Sequence, residues 1–483
     1  MKRVLLSLLM TATSATLAQD FGPHPGIHEM ESRLHAADTT AASADTAWAI
    51  PRLLTLAKRA ALTRHVLGWH PWWASSTAYL SYDYSAMTHI AYFSYETDTT
   101  TGGYKSIHSW NSTPIIDYAH ARGVKVLLTV TNFGNAQNSA LLSDTARQNT
   151  MITTLISLLK ARNGDGVNFD LESIPAAQRS NLVSFMRRAA NAIRAQVPGA
   201  EISMATPAVD WSDAWDYAQL GQICDALVMM GYNYYWSGST TAGPVAPLVG
   251  GKYNVTNSVM TYLNAGVAPE RLWLGVPWYG YDFVVTSSAR MSPTVSGSTA
   301  SSRTYAVAEP MAATYGKTFD GIYDVPWFSY QSSTWRQVWY DDSMSLGMKY
   351  AMAIAKNLGG IGIWALSYDG GRPEIWSGIK AAFTPVSSVS EPSPVPVSCT
   401  LEPNYPNPFN PSTRITVDVT SPQEITLDVY DPLGRRVAVL FHGAVAAGRS
   451  AFEWNAAGCA SGVYFARLSA GEISQTRPML LMR

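Results

Sequence analysis

Residues 165 to 172 read Asp165-Gly166-Val167-Asn168-Phe169-Asp170-Leu171-Glu172. Side chains alternate faces along a β-strand, so Asn168, Asp170 and Glu172 share one face while Val167, Phe169 and Leu171 share the other. Carboxylates without partners are too costly to bury in an apolar core, which places this row at the mouth of a site where something polar meets it. For a single Asp or Glu a solvated strand edge would explain as much. A spaced row of three polar groups ending in Glu, with a glycine near its start, points instead to catalysis.

The elements that must position this row recur along the chain. Short apolar runs, each followed by a helical stretch, occupy His65 to Trp69, His89 to Phe93, Val124 to Val130, Gly166 to Glu172, Ile202 to Thr206, Ala226 to Met230, Leu272 to Pro277 and Ile361 to Leu366. This rhythm is that of a parallel α/β fold. Eight such strands between residues 62 and 386 predict a (β/α)8 TIM barrel, whose catalytic groups come from the C-terminal ends of its strands, where Glu172 falls. The last connection is longer than one helix needs, so a small α+β insertion is expected at about 282–340. It would form one wall of a substrate groove.

Composition narrows the class. The 483 residues are 47% hydrophobic and only 14% charged, with a formal net charge of −1. Nothing in this balance suggests nucleic acid. The 16 Trp and 25 Tyr suit a surface that stacks on sugars, although large cores use them too. Met1-Lys2-Arg3, the apolar Val4 to Met10 and the small residues up to Ala18 have the form of a secretory signal peptide over residues 1–18. No later run is long enough to span a membrane, so an exported, soluble, monomeric protein is expected. Residues 19–61 form an N-terminal extension in which Ala36 to Thr46 reads as a mobile spacer. Three cysteines make no disulfide framework. Cys224 reads as a buried thiol, and Cys399 and Cys459 flank one C-terminal unit and could pair. No metal-ligand spacing occurs, so neither a metal nor a cofactor is expected. A Pro/Ser linker at 387–399 leads into short alternating strands, Arg414 to Val419 and Glu424 to Tyr430, which predict a small all-β sandwich over 400–483.

The acid row resembles the signature of glycoside hydrolase family 18, Asp-Gly-x-Asp-x-Asp-x-Glu. Met230-Gly231-Tyr232-Asn233 with Trp236 is similar to the family's sixth strand, Leu274 to Gly280 to its seventh, and Gly360 to Leu366 to its last. Val338 to Asp342 resembles the return from the family's insertion. The resemblance spans the barrel, about two thirds of the chain. It implies a TIM barrel that hydrolyses β-linked N-acetylglucosamine glycans, with Glu172 as general acid and then base. The substrate's own acetamide would serve as nucleophile, as the family's exception to the two-carboxylate scheme requires. Asp170 would orient and stabilise that acetamide, Tyr232 would hydrogen-bond its oxygen, and Trp364 would stack on the sugar. Asp165, Asn168 and Asn233 would support these groups. Met230, Trp69, Trp236, Trp278, Tyr279 and Asn132 would line the substrate.

This chain departs from the family pattern at four places. Asn168 and Asn233 stand where many members have Asp, and Tyr281 stands where Arg is common. Asn168 can hydrogen-bond Asp170 but cannot titrate. An Asn there, with Thr129 to Gly134 in place of Ser-x-Gly-Gly, resembles the branch of spore-cortex peptidoglycan hydrolases and chitobiase. The alternative is a catalytically weak glycan-binding lectin on the same barrel. Leu401 to Thr413, Gly434 to Val437 and Ser461 to Phe465 resemble a type IX secretion C-terminal sorting domain, which implies a secreted or cell-surface protein and the type IX machinery as partner. The rival reading is a carbohydrate-binding sandwich using Trp454 and Tyr464. The alternation of those two rings suits core residues better.

Overall fold

The computed structural model describes residues 22–38, 62–385, 399–431, 435–471 and 473–482. The expected signal peptide, most of the spacer and nearly all of the Pro/Ser linker lie outside the described residues. Eight parallel strands close into a barrel: β1 His65–Pro71, β2 His89–Thr97, β3 Lys125–Phe133, β4 Gly166–Glu172, β5 Glu201–Pro207, β6 Ala226–Met230, β7 Leu272–Pro277 and β8 Gly360–Trp364. Each pairs with its neighbour, and β1 closes the ring by pairing with both β8 and β2. All eight expected strands are present.

The two faces of β4 separate as the alternation requires. Phe169 points outward and meets Phe185, on the helix Arg179–Gln196, edge to face at 5.6 Å. Asn168 points into the barrel, where its Oδ1 accepts from Trp69 Nε1–H of β1 at 2.9 Å and its Nδ2 donates to Ser203 Oγ of β5 at 2.9 Å. The start of β4 is pinned from the other end of the barrel. Asp165 accepts from the backbone N–H of Val126 at 2.6 Å and pairs with His120 Nε2 at 2.7 Å. Gly166 has φ +149°, and a Cβ there would collide with the backbone of Glu201. Only glycine lets β4 enter this close to β5.

Between β7 and β8, five antiparallel strands form a separate sheet in the order Ser301–Thr304, Tyr279–Val285, Trp335–Tyr340, Val325–Gln331 and Thr318–Asp320. The helix Tyr305–Tyr315 crosses it. The helix Ser343–Ala355 follows, started by Asp342 in a capping box with Ser345. It carries Lys349 into a fully buried pair with Asp341. Beyond the linker, a three-stranded and a four-stranded antiparallel sheet share one core that contains Trp454 and Tyr464. Their rings meet at 5.1 Å inside the sandwich, as core residues do. Cys399 and Cys459 do not pair: Cys399 is buried in that core, Cys459 is half-buried in the connection between Gly448–Asn455 and Gly462–Ala470, and both are free thiols. Cys224 is a buried free thiol as well, its pKa pushed up to about 12 by burial.

The N-terminal extension departs from expectation. Within it, Ile27–Leu34 forms a helix, α1, with Ile27, His28, Glu29, Glu31 and Ser32 buried. It sits at the C-terminal mouth of the barrel.

Candidate active site

Three strand ends supply the central groups. β4 delivers Asp170 and Glu172, the turn after β6 delivers Tyr232 and Asn233, and β8 ends in Trp364. Asp170 is completely buried and Glu172 is 5% exposed. Burial pushes both carboxyl groups well above the ordinary carboxylate range, and for Glu172 the negative field of Asp170 adds to the rise. A general acid needs its carboxyl shifted in this direction. Burial likewise keeps the Tyr232 hydroxyl protonated and able to donate.

The groups expected around this centre divide. Trp364 forms its floor, Trp69 stands across from it with ring centroids 6.1 Å apart, and Met230, Tyr232 and Asn233 line an open cleft of about 530 Å³ beside Glu172. Tyr279 donates to Asn233 Oδ1 at 2.8 Å, and Tyr281 donates to the same oxygen at 3.0 Å. The two departures at 233 and 281 thus belong together, as a neutral amide and phenol in contact. Such a pair avoids the desolvation cost of a buried ion pair.

Four expectations are corrected. Asp165 lies at the opposite end of the barrel, where its bonds to Val126 and His120 fix the strand and cannot reach a substrate at the mouth. Asn168 spends its amide on Trp69 and Ser203 rather than on Asp170. Trp278 turns outward, packing edge on against Trp376 at 4.8 Å. Asn132 donates to Asn138 Oδ1 at 2.9 Å, away from the cleft.

The residues that sequence reasoning missed come from α1 and the segment before it. The His28 ring lies between Asp170 Oδ2 and the Tyr232 hydroxyl, 2.8 Å from each, and stacks on Trp364 at 3.7 Å. Burial lowers its pKa to about 4. A neutral imidazole satisfies both neighbours, Nδ1–H donating to Asp170 and Nε2 accepting from Tyr232. His28, Asp170 and Glu172 offer three potential metal-ligand atoms within 4.8 Å of one another. Both ring nitrogens are already engaged. Glu31 accepts from Trp364 Nε1–H at 2.8 Å and from the Tyr368 hydroxyl at 2.6 Å. The N-cap of α1, Gly26, has no side chain to cap the helix, and the Glu172 carboxylate lies there against the backbone N–H of Glu29. A Cβ on Gly26 would collide with that carboxylate. On the flanks, His24 stacks on Trp236 at 4.8 Å and His35 on Trp73 at 4.7 Å. The cluster His24, His28 and His35, three of the nine histidines, was the available sequence signal.

Comparison with known proteins agrees with this fold. The family model described as Glycosyl hydrolases family 18 matches residues 66–369, and that of a Secretion system C-terminal sorting domain matches residues 404–481. The rat di-N-acetylchitobiase is 26% identical over 312 residues, covering 59% of this chain and 77% of its own length. A cortical fragment-lytic enzyme of Bacillus anthracis is 25% identical over 315 residues, covering 62% of this chain and 68% of its own. Among solved structures, the spore cortex-lytic enzyme of Bacillus cereus superposes with a TM-score of 0.57 at 22% identity, over 66% of this chain and 74% of that one. The last likeness speaks for the fold.

Proposed function

Because this chain belongs to glycoside hydrolase family 18 and carries a sorting domain for type IX secretion, we propose that it is an exported glycosidase cleaving β-linked N-acetylglucosamine glycans with retention of anomeric configuration. The observation that carries this reading is the trio of Glu172 and Asp170 from the end of β4 and Tyr232 from the turn after β6, with Trp364 at the end of β8. In the proposed reaction Glu172 protonates the glycosidic oxygen while the substrate's acetamide carbonyl attacks the anomeric carbon. Asp170 offsets the positive charge growing on the acetamide nitrogen, and the Tyr232 hydroxyl donates to its oxygen. Water then opens the intermediate, with the Glu172 carboxylate taking its proton. The relatives named as chitobiase and cortical fragment-lytic enzyme support two substrate classes, chitooligosaccharides and peptidoglycan.

The test incubates the exported chain, and a chain carrying His28→Ala and Glu31→Ala, with tetra-N-acetylchitotetraose and with purified peptidoglycan. Release of reducing ends by either chain, abolished by Glu172→Gln, is expected. Absence of turnover by both chains on both substrates refutes the reading, and tight binding without turnover would establish a lectin instead.

A further inference from the structure

The central groups of the catalytic cleft are occupied by the chain itself, and the open space that remains lies beside Glu172 and is lined in part by Pro23 to Ile27. Every central group has a partner from residues 24–35: Asp170 and Tyr232 take His28, Glu172 takes the N-terminus of α1, and Trp364 takes both the His28 ring and the Glu31 carboxylate. These contacts have the chemistry of a bound aminosugar. A flat ring lies on the Trp364 face, a hydrogen-bonding atom reaches Asp170 where an acetamide N–H would, and an acceptor meets the Tyr232 hydroxyl where an acetamide oxygen would.

The match continues beyond the central position. His24 lies on Trp236 with ring planes 10° apart, and His35 lies on Trp73 with planes 8° apart. Three imidazoles thus cover three tryptophans, each ring pair stacked as a sugar ring would stack on an indole. A helix packed merely for stability would not need to place its polar side chains on the polar groups of the site. Here His28 is completely buried, Glu29 is 2% exposed and Glu31 is 5% exposed.

We propose that residues 22–38 are an intramolecular inhibitor, docked in the sugar-binding cleft with His24, His28 and His35 standing for three sugar rings, so that the chain is latent until this segment leaves. The proposal rests on the glycosidase reading and adds the control of its site. Asp170 and Tyr232 cannot receive an acetamide while His28 is bound, and Glu172 cannot reach a glycosidic oxygen while it caps α1. Chain cleavage between Asp38 and Leu62 would release the segment without touching the barrel.

Two measurements on the full chain test it. Hydrogen exchange should show the amides of residues 27–34 protected, and excess tetra-N-acetylchitotetraose should remove that protection. In hydrolysis of the same tetrasaccharide, the chain carrying His28→Ala and Glu31→Ala should show a KM at least tenfold lower with kcat within about twofold, as loss of a competitor requires. A synthetic peptide of residues 22–38 should then raise the KM of this variant competitively. Equal KM values for the two chains, or amides at 27–34 that exchange freely in the wild type, overturn the inhibitor and leave the glycosidase reading standing. If the variant neither binds nor cleaves the sugar while residues 27–34 stay protected in the wild type, the glycan reading fails, and the segment's role as a competitor fails with it.

Discussion

Replacing Glu31 by Gln should change the pH at which the enzyme is latent. Glu31 docks with its carboxyl buried, accepting from Trp364 and Tyr368 and facing the Ser302 hydroxyl. Burial outweighs those bonds and raises its pKa from the ordinary 4.5 to about 7. A group whose pKa is raised in the docked state favours docking fully below its free value, and that contribution disappears as pH rises through the docked value. Between pH 4.5 and 7 the loss amounts to about 3 kcal/mol, on the order of a hundredfold in the docking equilibrium. Gln keeps the acceptor oxygen and never carries the charge, so its docking lacks this pH dependence.

The other titrating groups at the interface are common to both chains and cancel in a ratio. Glu29, Asp170 and Glu172 have raised pKa values and act in the same direction as Glu31. His28, lowered to about 4, acts in the opposite direction: it favours docking above its free value of 6.5 and loses that contribution as pH falls through 4. Tyr232, Tyr279, Tyr281 and Tyr368 stay protonated. The assay is the KM for tetra-N-acetylchitotetraose of full-length wild type and Glu31→Gln between pH 4.5 and 8. The variant's KM should lie within a few-fold of wild type at pH 4.5 and exceed it on the order of a hundredfold at pH 8. A flat ratio, or one that grows toward acid, refutes the assignment of Glu31 as a buried docking carboxyl.

Other outcomes follow from the same geometry. Glu172→Gln in the chain freed by His28→Ala and Glu31→Ala should lower kcat by roughly 10²–10⁴, the usual worth of a general acid, with an unchanged melting temperature; activity near that of its parent would remove Glu172 from the mechanism. Asn168→Ala strands the Trp69 N–H and the Ser203 hydroxyl inside the barrel and should cost ~1–3 kcal/mol in a denaturant titration. Asn168→Asp puts a third carboxyl on the row and should move the acid limb of the freed chain's pH–rate profile upward, whereas an unmoved limb means that the position is electrostatically silent. Lys349→Met abandons Asp341 in the interior and should destabilise the barrel by about 3–5 kcal/mol, most of it recovered by adding Asp341→Asn; equal stability of single and double variants would contradict the pairing.

The fold was legible where residues announce themselves locally. Eight apolar runs at barrel spacing and the alternation at 167–172 needed no distant partner to interpret; Asp170 and Glu172 stood out in that row, and Tyr232 and Trp364 were singled out by the family resemblance. What escaped depends on contacts between residues far apart in the chain. His28 meets Asp170 across 142 positions, and a short polar helix with two glutamates and a histidine looks like solvated surface until its cleft is known. Asn168 had its obvious neighbour in Asp170, yet the barrel interior offered Trp69 at 99 positions and Ser203 at 35. Trp278 and Asn132 lie near strand ends as expected, but strand-end position does not say which way a side chain turns. Tyr281 reads as an anomaly alone and as a partner beside Asn233.

The row of imidazoles on indoles also sets how sharply the enzyme can be switched on. A ligand carried on the same chain is presented at an effective concentration of ~mM, so a segment with an intrinsic dissociation constant of ~10 µM would keep roughly 99% of molecules closed. After one peptide bond is cut between Asp38 and Leu62, the same segment is only a solute at the protein's own concentration, and below micromolar levels it diffuses away. No residue of the segment would have to bind tightly for the closed state to hold. Activation would then be a matter of dilution: irreversible, and complete with a single cut.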